Sequence, residues 1–123
     1  MASSPAVIAE FSARKKAEQE KALAKYGSTA LLPAGRPEFD VMDFFANELV
    51  GGVRYSQMIQ ARHQMMLDVM DDLPKKTREL LKDGISLARE LEAFSARYSL
   101  DLLSLWLNLK KAGLHLGLTE KAS

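Results

Sequence analysis

From position 41 onward the apolar residues recur at steps of three and four, the spacing of one face of an α-helix. Val41, Phe44, Phe45, Leu49, Tyr55, Ile59, Met66 and Met70 form the first such series. It predicts a helix opened by Asp40 or Glu38, running to about Asp72 and ended by Leu73-Pro74. A second series, Leu80, Leu81, Ile85, Ala88, Leu91, Phe94 and Tyr98, predicts a helix capped by Asp72. So short a connection makes the two a helical hairpin. Beyond Tyr98 the leucines at 103, 105, 107 and 109 alternate as in a strand, while Leu102, Trp106 and Leu109 share a helical face. Ser99 as a cap, Asp101 in the first turn, Lys110-Lys111 in the last and Gly113 as a stop favour a separate final helix over a hairpin of strands. The segment has no β-branched residue, which favours helix again.

Ahead of the hairpin, Ser4-Pro5 opens and Gly27 closes a helix with a thin apolar side: Val7, Ile8, Phe11, Ala17, Leu23 and Tyr26. Residues 27–37, GSTALLPAGRP, carry two glycines, two prolines and no helical period, so they read as a linker with Leu31 and Leu32 tucked against the body. The expectation is an all-α fold: a small helical bundle built on a long hairpin with an N-terminal helical arm. Residues 1–37 would be the arm and linker, and 38–123 the helical core.

A chain of 123 residues that is 47% hydrophobic can bury one core. Its net charge of +1 gives no bulk attraction to nucleic acid or anionic membrane, so such binding would need a local patch. Cysteine is absent, which removes disulfides, thiolate metal sites and thiol nucleophiles. With no secretory leader and no apolar run of spanning length, the expected location is cytoplasmic, away from membrane.

On a helical wheel, Glu48 falls at the centre of the apolar arc of the second helix, with Arg62 and His63 on the same arc. A buried carboxylate needs a basic partner, so Glu48 is expected to meet one on another helix or on another copy. Two consecutive glycines, Gly51 and Gly52, cost a helix about 2 kcal/mol relative to alanine, so the helix breaks there or something approaches it closely. Glu48 and Arg62 stand seven residues either side of Tyr55. Two antiparallel copies crossing at Tyr55 would therefore oppose Glu48 to Arg62 and set the glycines against Met58 and Ile59, as a two-fold interface requires. The expected interface is Glu48, Gly51, Gly52, Tyr55, Met58, Ile59 and Arg62.

Glu48-Leu49, followed by Tyr55, loosely resembles part of the second metal-binding helix of the MazG-type all-α nucleotide pyrophosphohydrolases. The resemblance implies a metal-dependent hydrolase with Glu48 as a ligand. The family pattern has an aspartate where this chain has Gly51, and a glutamate cluster on the preceding helix where this chain offers Glu10, Glu18 and Glu20 among lysines. The stripe of Glu79, Asp83 and Glu90 points away from the apolar side of its helix, and Asp68, Asp71 and Asp72 lie beside Lys75 and Lys76. No metal or other cofactor is therefore expected. His63 and His115 each stand apart from other ligand-type residues, and no catalytic triad or phosphate loop is present.

Nucleic acid would find Arg14, Lys15, Lys16, Lys21 and Lys25 on the first helix. Residues 1–37 carry six basic against three acidic groups, while residues 38–72 carry two against seven. No aromatic residue interleaves the basic run. Met42, Met58, Met65, Met66 and Met70 make the second helix methionine-rich, a composition suited both to cores and to adaptable surfaces. The function expected is that of a small non-enzymatic interaction protein of the bacterial or phage accessory type. It would be homodimeric and bind and modulate a protein partner; a pyrophosphohydrolase-like enzyme is the alternative and a nucleic-acid-binding regulator the third reading.

Overall fold

The computed structural model describes residues 4–26 and 40–114. The linker at 27–37, the boundary at 37/38 and His115 lie outside the described residues. Three helices and no strand occur among those described: α1 (Pro5–Tyr26), α2 (Val41–Val69) and α3 (Lys75–Lys111). The fold is all-α, a helical hairpin with an N-terminal helix. α1 and the hairpin belong to separate units.

α1 begins as its sequence dictates, with the Ser4 hydroxyl accepting the Val7 amide at 3.3 Å and Pro5 in the first turn. Its polar side is self-paired, Arg14 to Glu10 at 2.8 Å and Lys21 to Glu18 at 3.8 Å. Val7, Ile8, Phe11 and Leu23 are exposed.

α2 and α3 pack along a seam in which residues recur every three and four positions on both helices, as in a two-stranded coiled coil. Ala46, Ser56 and Leu67 are the buried positions of α2; Ile85, Ala88, Ser95 and Ser99 are those of α3. Most are small, and the helices approach closely as a result. A Cβ on Gly52 would lie 2.8 Å from the Ser95 hydroxyl, and one on Gly84 would lie 2.5 Å from the His63 ring. α2 therefore runs unbroken through Gly51-Gly52, and close approach by Ser95 is the reason for the second glycine.

Each end of the hairpin is clamped by a side chain that also completes a helix terminus. At the open end, one Asp40 oxygen accepts the Asp43 amide at 3.0 Å and caps α2, while the other accepts the Trp106 indole N–H at 2.7 Å from α3. At the turn, the Arg78 guanidinium donates to the Leu67 and Met70 carbonyls at 3.0 and 3.1 Å, satisfying the C-terminus of α2. α3 closes as a Schellman motif: Gly113 has φ of 90°, its amide bonds the Lys110 carbonyl, and the Leu114 amide bonds the Leu109 carbonyl.

Two expected caps are corrected. α3 starts after Pro74 with no side-chain cap, so Asp72 does not cap it. Ser99 does not open a new helix either, because α3 is continuous from Lys75 to Lys111. Ser99 is a small buried seam residue whose hydroxyl donates to the Ala96 carbonyl at 2.9 Å. Contact with α2 carries the helix through a local start signal.

Candidate functional site

Five of the residues expected at an interface form part of one outer stripe on α2. Tyr55, Met58, Ile59 and Arg62, with His63, line a shallow pocket, and Glu48 lies about two turns before Tyr55. The stripe continues to Val41 and Phe45 at one end and Met65 and Val69 at the other, again at three- and four-residue steps. Its members stand in solvent: Val41 is 60% exposed, Tyr55 65% and Val69 68%.

Glu48 was expected within a buried apolar arc. Its arc is apolar, but it faces away from α3 and Glu48 is exposed, so its charge needs no partner inside the hairpin. Arg62 is exposed as well, and neither forms an ion pair among the described residues. The glycines divide: Gly52 faces Ser95 of α3, whereas a Cβ on Gly51 would make ordinary contact with the Tyr55 ring at 3.8 Å. Gly51 is thus the glycine beside the outer stripe. The methionines divide too, with Met42 and Met66 half-buried and Met58, Met65 and Met70 exposed.

Of the apolar series read along α3, Ile85 and Ala88 are buried and Leu81 is half-buried, whereas Leu80, Leu91, Phe94 and Tyr98 belong to a second outer stripe. Leu80, Leu87, Leu91, Phe94, Tyr98 and Leu105 of α3 are all exposed, because the seam is filled by their smaller neighbours. The Phe94 and Tyr98 rings pack on each other with centroids 4.6 Å apart. Both stripes border the same side of the hairpin: Phe45 and Leu49 of α2 form, with Phe94, Tyr98, Leu102 and Leu105 of α3, an open groove of about 320 Å³. Asp101 lies in that groove and reaches Arg97 at 3.9 Å. The depression on the other side is bordered by Gln64, Asp68, Lys82, Ser86 and Arg89, while Val50, Leu100 and Leu107 stand exposed on the same helix faces nearer the open end.

Elsewhere a few polar groups are hydrogen-bonded within the hairpin. Glu92 accepts from Gln60 at 2.7 Å and Gln57 at 3.1 Å, and these hydrogen bonds hold its carboxyl below the ordinary glutamate range. His63 sits over Gly84 with Nδ1 3.3 Å from the Leu81 carbonyl. Asp68 accepts from Gln64 at 2.8 Å.

Among the described residues no group of three or more histidines, aspartates or glutamates converges as a metal site would require, and no helix is long and apolar enough to cross a membrane. On α1, Arg14 and Lys21 are engaged by their own glutamates, Lys15 and Lys16 are exposed, and the Lys25 side chain lies outside the described residues. No family model, curated protein or solved structure matches the chain.

Proposed function

We propose that this chain is a non-enzymatic helical interaction protein that works as a homodimer and modulates a protein partner. The observation that carries the reading is the inverted distribution of side-chain size on α2, with alanine and serine prominent among the residues in contact with α3 and phenylalanine, tyrosine and methionine exposed outside. A contiguous apolar stripe of that extent on a soluble chain marks a surface that another protein covers.

The second copy is favoured as the cover because the α2 stripe is self-complementary. With two copies antiparallel and crossing at Tyr55, Val41 meets Val69, Phe45 meets Met65, Gly51 meets Ile59, and each Glu48 meets Arg62 of the other copy. Charge complementarity of this kind fixes register and rejects the parallel arrangement, which would set like charges together.

Sedimentation equilibrium on charge variants tests it. Arg62→Glu sets like charges opposite one another and weakens the dimer, and Glu48→Arg combined with Arg62→Glu recovers part of the loss. A double variant no stronger than the single one would refute the pairing. Non-enzymatic action is tested by incubating the chain with nucleoside triphosphates and magnesium or manganese. No turnover is expected, and turnover abolished by Glu48→Gln in a folded variant would establish the hydrolase instead.

A further inference from the structure

The α2 stripe accounts for one helix of the apolar side and leaves the α3 stripe in solvent. We infer that the same dimer also pairs α3 with α3 of the second copy, closing an antiparallel four-helix bundle about a single two-fold axis. This rests on the homodimer reading and extends it to residues that the α2 crossing does not involve.

Within the hairpin, Gly52 lies against Ser95 and His63 against Gly84, so these contacts set Tyr55 opposite Glu92 along the helix axes. The hydrogen bonds from Gln57 and Gln60 to Glu92 place the same stretch of α3 beside the middle of α2. The α3 stripe runs from Leu80 to Leu105 and its midpoint falls between Glu92 and Ala93. About that midpoint Leu80 opposes Leu105, Leu87 opposes Tyr98, and Leu91 opposes Phe94. The centre of symmetry of α3 therefore stands within one residue, about 1.5 Å, of the level of Tyr55, the centre of symmetry of α2.

Two-fold packing demands that coincidence. An axis perpendicular to the helices and passing Tyr55 sets α2 antiparallel to its copy and, at the same level, α3 antiparallel to its own. Both stripes must lie on the same side of the hairpin, and the shared groove of Phe45, Leu49, Phe94, Tyr98, Leu102 and Leu105 shows that they do. The polar depression with Lys82, Ser86 and Arg89 lies on the opposite side and stays in water. In this arrangement every helix has two antiparallel neighbours, the geometry of up-and-down four-helix bundles, with the apolar side of both hairpins as its core.

The absence of cysteine makes the test clean, since each introduced thiol is the only one in its chain. Tyr55→Cys, Leu91→Cys, Phe94→Cys and Ser86→Cys are made singly in the full chain, with helical content checked by circular dichroism. A short bis-maleimide is applied to each and to mixed pairs, and the covalent species are read by mass. Covalent dimer is expected from Tyr55→Cys and from the Leu91→Cys with Phe94→Cys mixture, and not from Ser86→Cys on the opposite side. Linkage at Tyr55 without linkage between Leu91 and Phe94 overturns the α3 pairing while the α2 homodimer stands. Linkage of Tyr55→Cys to Leu91→Cys in place of that pair shows α2 lying across α3 of the other copy and overturns it too. A monomer by sedimentation, with no variant linking, removes both.

Discussion

The two long sides of α2 have opposite characters. Along the side against α3, Ala46, Gly52 and Ser56 bring the backbones together, and specificity comes from hydrogen bonds and from a ring seated over a glycine. Along the outer side, large apolar side chains such as Phe45, Tyr55 and Met65 leave half or more of their surface in solvent. A hairpin whose buried positions are mostly small and whose large apolar residues are half or more exposed gains less from apolar burial than its content of such residues would allow, since burial energy scales with area at about 25 cal/mol per Å². Its stability then depends on end clamps, close backbone approach and, on the reading proposed here, assembly. The inner side determines which two helices pair, and the outer side supplies the energy that a second copy would release.

Substitutions sharpen this contrast when all variants are compared at one chain concentration, because assembly raises apparent stability. The largest effect belongs to the inner side. Gly84→Leu drives a side chain into the space of the His63 ring and should destabilise the hairpin by about 1–3 kcal/mol, read from urea unfolding. An unchanged urea midpoint would mean that the seam is not closely packed there. Next, Arg78→Ala strips two carbonyls at the end of α2 of their charged donor and should cost about 1.5 kcal/mol, with the loss of helical signal confined to the turn.

On the outer side, Met65→Ala should leave the hairpin's helical content intact while lowering the association free energy by about 1 kcal/mol per copy, because the side chain is half-exposed and would face Phe45 of the other copy in the proposed dimer. A variant that lost helix instead would place Met65 in the fold rather than at its surface. The smallest effect concerns Glu92. Its carboxyl is held below its ordinary range by Gln60 and Gln57, so its contribution is present above the unfolded glutamate pKa and lost as pH falls through the lower folded value. Thermal unfolding followed from pH 6 to pH 3 should show a slight acid-side loss that Glu92→Gln removes. A steeper acid loss in the variant would reverse the assignment.

Much of this was legible in the sequence, and the misses trace to contacts between α2 and α3. α1 was bounded by its Ser4-Pro5 signal, and the hairpin by Asp40, Leu73-Pro74 and Gly113, because helix ends are written in a few residues that satisfy backbone groups locally. Local signals misled where tertiary contact overrode them: Ser99 looked like a cap and serves as a seam residue. Periodicity found the apolar residues of α2 and α3 but merged two stripes into one face on each helix. A wheel built on large apolar residues passes over Ala46, Ser56, Ser95 and Ser99, which the pairing uses. Read with small residues counted as seam positions, α2 separates into an inner series from Ala46 to Leu67 and an outer one from Val41 to Val69. The symmetry of Glu48 and Arg62 about Tyr55 was visible from numbering, whereas its match in α3 needed the level of the two helices. Likewise the bond from Trp106 to Asp40 joins residues too far apart in sequence for any local pattern to connect.

The central claim, that the apolar side of the hairpin is covered by a second copy, is tested most directly by sedimentation equilibrium of the unmodified chain from nanomolar to high micromolar concentration. The account predicts a reversible monomer–dimer equilibrium that reaches a limiting mass of two chains, about 27 kDa given 13.7 kDa per chain. A mass that stays at one chain up to high micromolar concentration would contradict it.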